Sequence, residues 1–136
     1  MQPAAMLQRL EQATNEHDLE ALVDCFTADY RNETPAHPAR GFRGSEQVRA
    51  NWRQIFAAVP DLRAVVLRSV ADAGTVWSEW EMAGTRRDGA AHLMRGVVIF
   101  DVDDGRATAA RFYLEPVDDG AADVNAAVRA TVGGAS

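Results

Sequence analysis

Two short turn sequences constrain this chain most, because they fix how three successive strands pair. Arg87-Asp88-Gly89 and Asp103-Asp104-Gly105 separate segments in which apolar and polar residues alternate, the first being TVWSEWEMAGT. Each triplet is typical of a three-residue hairpin loop that ends in a left-handed glycine. Such loops fix the register of the strands, and a two-residue loop at either turn would break the pairing.

With three-residue loops, Trp80 lies opposite Gly96, and Gly96 lies opposite Phe112. Glycine between two large rings leaves them room to meet across the sheet. We expect this apolar face to pack against helices. In the same register the row is bordered by Met82, Met94, Val98, Phe100 and Leu114.

The opposite face of the predicted sheet carries charges. Opposite charges on neighbouring strands stabilise an exposed sheet surface, by a few tenths of a kcal/mol for each pair. We therefore interpret the two glutamates of WSEWEM as members of a charge ladder and not as a catalytic dyad. The predicted rungs are Glu81 with Arg95 and Tyr113, and Glu79 with Val97 and Arg111.

Helical periodicity precedes the strands. An opening helix and a second helix after Asp18 are predicted, followed by a short strand at 30–34, a loop rich in proline and glycine, and a third helix capped by Ser45 and stopped by Pro60. Helices followed by consecutive antiparallel strands indicate an α+β fold. The predicted buried stripes are Met6, Leu7, Leu10, Ala13; Leu19, Leu22, Val23, Phe26; and Val48, Trp52, Ile55, Phe56, Val59.

Composition excludes several classes of partner and site. The 136 residues suit one domain, predicted at 1–118, with an Ala/Gly-rich tail at 119–136 that we expect to be weakly helical or disordered. A net charge of -6 makes nucleic acid and anionic membrane surfaces poor partners. The chain has no lysine for Schiff-base chemistry, and Cys25 is its only cysteine. No apolar run is long enough to span a bilayer, so we expect a cytoplasmic protein.

Three helices, a proline-containing segment and a strand run ending in RFYLEPVD resemble the SnoaL-like branch of the nuclear transport factor two-like superfamily. The resemblance spans roughly residues 4–118. It implies a cone-shaped α+β barrel, with N-terminal helices packed in the concave face of a curved antiparallel sheet and an apolar pocket at the open end. Relatives commonly pair through the outer sheet face. We therefore expect a homodimer that buries Trp77.

The resemblance also implies which catalytic groups are missing. Limonene epoxide hydrolases hold water with a tyrosine and an asparagine two residues apart, which Tyr30 and Asn32 match. Their remaining Arg and two Asp positions correspond here to Trp80, Met82 and Phe112. The acid–base aspartate of the polyketide cyclases also corresponds to Phe112, and that of the ketosteroid isomerases corresponds to Val98.

Three polar groups remain as candidate catalysts on the pocket side. Tyr30 is predicted to donate a hydrogen bond to a carbonyl or enolate, the alternative being that it and Asn32 satisfy backbone groups. His37 follows Glu33 closely enough for the carboxylate to orient the ring of a general base, the alternative being an exposed loop histidine. The predicted ligand-binding residues are Asn32, Trp52, Trp80, Met82, His92, Met94, Val98 and Phe112, among which His92 is either a base at the rim or a solvated turn residue.

Two functional classes fit this pattern. One is a cofactor-independent cyclase, isomerase or dehydratase that moves a proton on an apolar, oxygenated small molecule such as a polyketide or terpenoid. The other is a ligand-binding or dimerisation module that kept the pocket without the catalytic carboxylates. The histidines lack the spacing of metal ligands, so neither a metal nor another cofactor is expected.

Overall fold

Two helices, two strands and a third helix precede four consecutive strands in the computed structural model, which describes residues 3–133. The helices are α1 (Pro3–Glu16), α2 (Leu19–Val23), α3 (Ser45–Ala58) and α4 (Val124–Val132). The strands are β1 (Phe26–Glu33), β2 (Phe42–Arg43), β3 (Arg63–Asp72), β4 (Thr75–Thr85), β5 (Ala91–Asp103) and β6 (Arg106–Pro116), and a 3₁₀ turn covers Pro38–Arg40.

The six strands form one sheet in the order β2-β1-β6-β5-β4-β3. All neighbours are antiparallel except β1 and β6, which pair in parallel. Irregularities in the register between Val66 and Arg68 and between Asp101 and Val102 interrupt the ladders, and such bulges bend a sheet. The α+β class, the curved sheet and the helices on one face of it are as the sequence indicates.

The first predicted hairpin is confirmed. Arg87, Asp88 and Gly89 form a three-residue loop, closed by a 2.8 Å bond from the Arg86 amide to the Ala90 carbonyl, and Gly89 has φ +87. Trp80 therefore lies opposite Gly96, and Met82 lies opposite Met94.

The second predicted hairpin is wrong in register. Asp103 pairs with Arg106, so the loop has two residues, Asp104 and Gly105, with φ values of 52° and 79°. Two positive φ values are typical of a type I′ turn. A loop one residue shorter than predicted would, by itself, move every side chain of β6 to the opposite face of the sheet. The bulge that leaves Thr108 unpaired shifts the register by one more residue, so each side chain stays on its predicted face.

The register of β6 is consequently two residues away from the prediction, with its faces preserved. Gly96 lies opposite Leu114 instead of Phe112, and Phe112 lies opposite Val98. The row of Trp80, Gly96 and Phe112 is thus incorrect, although all three lie on the inner face. On the outer face the rungs become Glu81 with Arg95 and Glu115, and Glu79 with Val97 and Tyr113.

The helices differ from prediction at their ends. Phe26 begins β1 instead of ending the second helix, so the strand starts before the predicted 30–34 segment. Ser45 is the first residue of α3, and Gly44, with φ +96 and no capping side chain, occupies the cap position. The tail forms α4, capped by Asp123, whose side chain accepts from the Ala126 amide at 3.0 Å.

The core lies between α1, α2, α3 and the inner face of the sheet. Its largest fully buried side chains are Trp80, Tyr30 and Phe100, and Met6, Leu7 and Leu10 of α1 pack in the same cluster. Val48 is the buried residue of α3, whereas Trp52, Ile55 and Phe56 are partly exposed. These half-buried residues leave space between α3 and the sheet, which positions the candidate site.

Candidate active site

A cavity of about 310 Å³ lies between α3 and the inner face of the sheet. This volume is at the lower end of the range for small-molecule sites, about 300–1,000 Å³. Alternate strand residues and one face of α3 supply an apolar wall, as the period-two and helical patterns require. The apolar lining comprises Phe26, Phe42, Val48, Trp52, Ile55, Met82, Met94, Phe112 and Leu114.

Six of the eight predicted ligand-binding residues line this cavity: Asn32, Trp52, Met82, His92, Met94 and Phe112. Trp80 and Val98 lie deeper, in a crevice of about 20 Å³ that shares Trp52, Met82 and Phe112 as walls. The Trp80 indole nitrogen donates to the Ser78 hydroxyl at 2.9 Å, and that hydroxyl donates to the Val98 carbonyl at 2.7 Å. Trp80, with its polar atom satisfied, forms part of the wall of this crevice.

Tyr30 and Asn32 form a buried pair in the cavity wall. The Tyr30 hydroxyl donates to Oδ1 of Asn32 at 2.7 Å, in place of the free donor that the sequence predicts. Burial raises the pKa of Tyr30, which keeps the phenol protonated and able to donate to the asparagine oxygen. Among the described residues no group accepts from Nδ2 of Asn32, so this amide nitrogen is left to donate into the cavity.

The Tyr30–Asn32 bond can be tested by removing the hydroxyl. Tyr30→Phe leaves the buried asparagine oxygen without a donor, and we expect the free energy of unfolding to fall by about 1–2 kcal/mol. Tyr113→Phe is the control, because Tyr113 lies on the outer face and is 40% exposed. Urea denaturation should show a change below about 0.5 kcal/mol for that variant. Equal effects of the two substitutions would contradict a structural bond between Tyr30 and Asn32.

The predicted contact between Glu33 and His37 is wrong. His37 does not line the cavity, and its Nε2 lies 2.8 Å from Oε1 of Glu115, on the last strand. Glu33 lies on the outer side of β1, 3.6 Å from the Arg31 side chain. Because side chains alternate along a strand, Glu33 and Asn32 lie on opposite faces of the sheet. His37 lies in the loop after β1 and contacts Glu115 near the end of β6.

Three polar residues that line the cavity were missed by the sequence analysis: Thr34, Arg40 and Asn51. Asn51 shares the helical face of Val48 and Ile55, so its spacing on α3 could have revealed it. Arg40 belongs to the 3₁₀ turn between β1 and β2, where no periodic pattern gives the direction of a side chain. Thr34 directly follows β1 and continues the alternation of Tyr30 and Asn32, so strand periodicity could have revealed it.

His92 is the one histidine, among residues 3–133, that lines the cavity. It lies near the start of β5, at the parity of Met94, and no carboxylate of the described chain lines the cavity with it. Among the side-chain types in this lining, imidazole is the one that enzymes most often use as a general base. The site therefore combines one base with several hydrogen-bond donors.

Neither a metal-binding cluster nor a helix able to span a membrane occurs in the described part of the chain. No three His, Cys, Asp or Glu side chains within residues 3–133 group together so as to hold an ion. Over the same range, no helix has the length and apolar character needed to cross a bilayer.

Solved structures with the same fold include proteins of several activities. IdmH, a proposed polyketide cyclase from Streptomyces antibioticus, superposes with a TM-score of 0.73 at 23% identity, over 84% of this chain and 92% of IdmH. An LEH-like epoxide hydrolase of Mycobacterium tuberculosis gives 0.71 at 20% identity, over 83% and 82% of the two chains. RV0760c from the same organism, in complex with estradiol-17beta-hemisuccinate, gives 0.72 at 20% identity, over 83% and 94%.

A comparison with proteins of curated function found no match. The family model of the SnoaL-like domain matches residues 7–110, from the first turns of α1 to the middle of β6. This match covers most of the chain and includes α3 and the strands that enclose the cavity. By this match, and with the cavity-bearing α+β fold described above, the chain belongs to the SnoaL-like domain family.

Proposed function

We propose that this protein is a cofactor-independent cyclase, isomerase or dehydratase that moves a proton on an apolar, oxygenated small molecule. The observation that carries the proposal is a cavity with apolar walls that holds both an imidazole, His92, and an amide donor, Asn32. A base and an oxyanion donor are the two groups needed to form and hold an enolate. Polyketide-like and terpenoid-like ketones have the matching chemistry.

The proposed roles follow from the hydrogen bonds. His92 removes a proton from the carbon next to a carbonyl, and the C–H electron pair moves into the enolate. The Asn32 amide donates to the enolate oxygen, and Tyr30 holds that amide in place from the other side. With a β,γ-unsaturated ketone, the dienolate takes the proton back from the His92 imidazolium at its γ-carbon, which isomerises the substrate. With a second carbonyl in reach, the enolate carbon attacks that carbonyl and closes a ring, and the alkoxide formed takes the proton from the imidazolium.

The proposal replaces His37 and Glu33 by His92 as the group that moves the proton. His37 contacts Glu115 outside the cavity, so it has no path to a ligand carbon there. Structural relatives with a proposed polyketide cyclase or an epoxide hydrolase activity support an enzyme on this scaffold, although the scaffold itself does not specify a reaction.

The alternative is a ligand-binding module without turnover, and the absence of carboxylates from the described cavity lining favours it. A single experiment separates the two. The neutral two-ring ketone 2-tetralone is incubated with the protein in deuterated buffer, and exchange of its α-protons is followed by NMR. An enzyme accelerates exchange above the rate given by free imidazole at equal concentration. A binder shifts the ketone resonances and leaves the exchange rate at that of imidazole.

We also propose that the protein is a homodimer paired through the outer sheet face. Trp77, 53% exposed, lies there beside Val70, with Arg68–Glu79 and Arg95–Glu81 ion pairs around it. An apolar centre surrounded by charges of both signs can pair with a second copy of itself about a two-fold axis.

The dimer is tested by substituting Trp77. In light scattering at tens of micromolar, we expect the wild type to have the mass of a dimer and Trp77→Ala to shift toward the monomer. Val128→Ala is the matched control, because Val128 of α4 is 51% exposed and lies outside the sheet. A monomeric wild type, or dissociation by the control alone, would overturn the interface.

A further inference from the structure

Two of the polar residues that line the cavity, both asparagines, already accept a hydrogen bond at the side-chain oxygen. The oxygen of Asn32 accepts from Tyr30, at 2.7 Å. The oxygen of Asn51 accepts from the Gln47 amide nitrogen at 2.8 Å. Each side-chain oxygen therefore has one donor already, whereas the two N–H groups of each amide have no acceptor among the described residues and are available to a ligand.

Arg40 adds a positive charge to these donors. Arg40 lines the cavity from an exposed position, and none of the ion pairs among residues 3–133 involves it. Two carboxylates at the ends of the neighbouring strands β1 and β6 have other partners, since Glu33 lies near Arg31 and Glu115 contacts His37. Because guanidinium has five N–H groups and no acceptor, it pairs best with a carboxylate, often through two bonds.

The backbone holds Arg40 at the rim. Its amide donates to the His37 carbonyl at 2.9 Å, and the next amide, of Gly41, donates to the Pro38 carbonyl at 3.2 Å. Pro35 and Pro38 restrict the same loop. An arginine presented by a fixed turn loses less conformational freedom on binding than one on a mobile loop.

From this arrangement we infer that the ligand of this cavity is an amphiphilic acid, with an apolar body against Trp52 and Phe112 and a carboxylate bound by Arg40 and Asn51 at the rim. The inference rests on the proposed function and names its substrate class. A deeper carbonyl oxygen of the same ligand accepts from Asn32. The net charge of -6 repels anions at long range, so recognition depends on these local donors.

The test uses two probes of equal shape, naphthalene-2-carboxylate and naphthalene-2-carboxamide, titrated into the full-length protein by calorimetry. We expect the wild type to bind the carboxylate at least about tenfold more tightly than the amide, as charge-assisted bonds require. Arg40→Gln should lower carboxylate affinity about tenfold and change amide affinity less than about twofold. The amide titration also shows that the variant keeps its cavity.

Arg43→Gln is the control, because Arg43 is exposed on neighbouring β2 and does not line the cavity. It should leave both affinities within about twofold of the wild type. Equal wild-type affinities for the two probes, an equal loss of both in Arg40→Gln, or the same loss in Arg43→Gln would overturn the inference. So would a wild type that binds neither probe, whereas the proposed proton transfer is judged separately with the neutral ketone.

Discussion

Replacing Gly96 by alanine is expected to lower the free energy of unfolding by about 3 kcal/mol or more. A Cβ at this position would collide with the Tyr113 carbonyl oxygen and would lie 2.7 Å from Cα of Leu114. Both are backbone atoms of the central strand β6, which cannot move aside as a flexible side chain can. The φ of +155 adds strain for any residue with a side chain.

Gly89→Ala is the matched control for Gly96→Ala. Gly89 also has a positive φ, +87, but a Cβ there would meet no atom within 4 Å. Its cost should be that of a left-handed alanine alone, about 1 kcal/mol. Guanidinium denaturation measures both variants. A Gly96→Ala protein as stable as Gly89→Ala would mean that β5 and β6 do not approach as described.

The reason for Gly96 differs from the one that the sequence suggests. From the sequence, glycine leaves room for the rings of Trp80 and Phe112 to meet across the sheet. In the structure Phe112 lies opposite Val98, two residues along β5 from Gly96. The glycine is required instead by the close backbone of β6. The position was identified correctly, with a different physical cause.

The two hairpins show how far turn chemistry determines register. Both RDG and DDG end in Asp-Gly and suit a three-residue loop with a left-handed final glycine, and RDG adopts that loop. Asp-Gly also suits a two-residue turn, and DDG adopts that one, with Asp104 at φ 52°. The bulge at Thr108 compensates for the change, but nothing in ATAARF marks a bulge. The face assignments on β6 hold because the loop and the bulge shift the register by one residue each.

The cavity could be predicted where strand or helix periodicity sets the direction of a side chain. Met82, Met94, Phe112 and Asn32 follow from strand parity alone. His37 and Arg40 lie in the loop between β1 and β2, where proximity in sequence suggested Glu33 as the carboxylate beside His37. The partner is Glu115, 78 positions along the chain by subtraction of the residue numbers, and the sequence contains no local signal for such a contact.

Loss of the His92 imidazole is expected to have the largest effect on activity. His92→Gln keeps a polar side chain of similar size in the cavity and removes the group that accepts the proton. General acid–base catalysis contributes about 10²–10⁴-fold, so exchange of the 2-tetralone α-protons should slow by at least about 100-fold. Binding of the ketone should stay within a few fold, because the imidazole acts mainly in the transition state.

The most direct test of proton transfer inside this cavity compares His92→Gln with His37→Gln in the deuterium-exchange assay. Both variants lose one imidazole, but only His92 lines the cavity, whereas His37 contacts Glu115 outside it. We expect exchange to fall at least about 100-fold in His92→Gln and to stay within about threefold of the wild type in His37→Gln. Unchanged exchange in His92→Gln, or a loss confined to His37→Gln, would contradict the assignment of the base to this cavity.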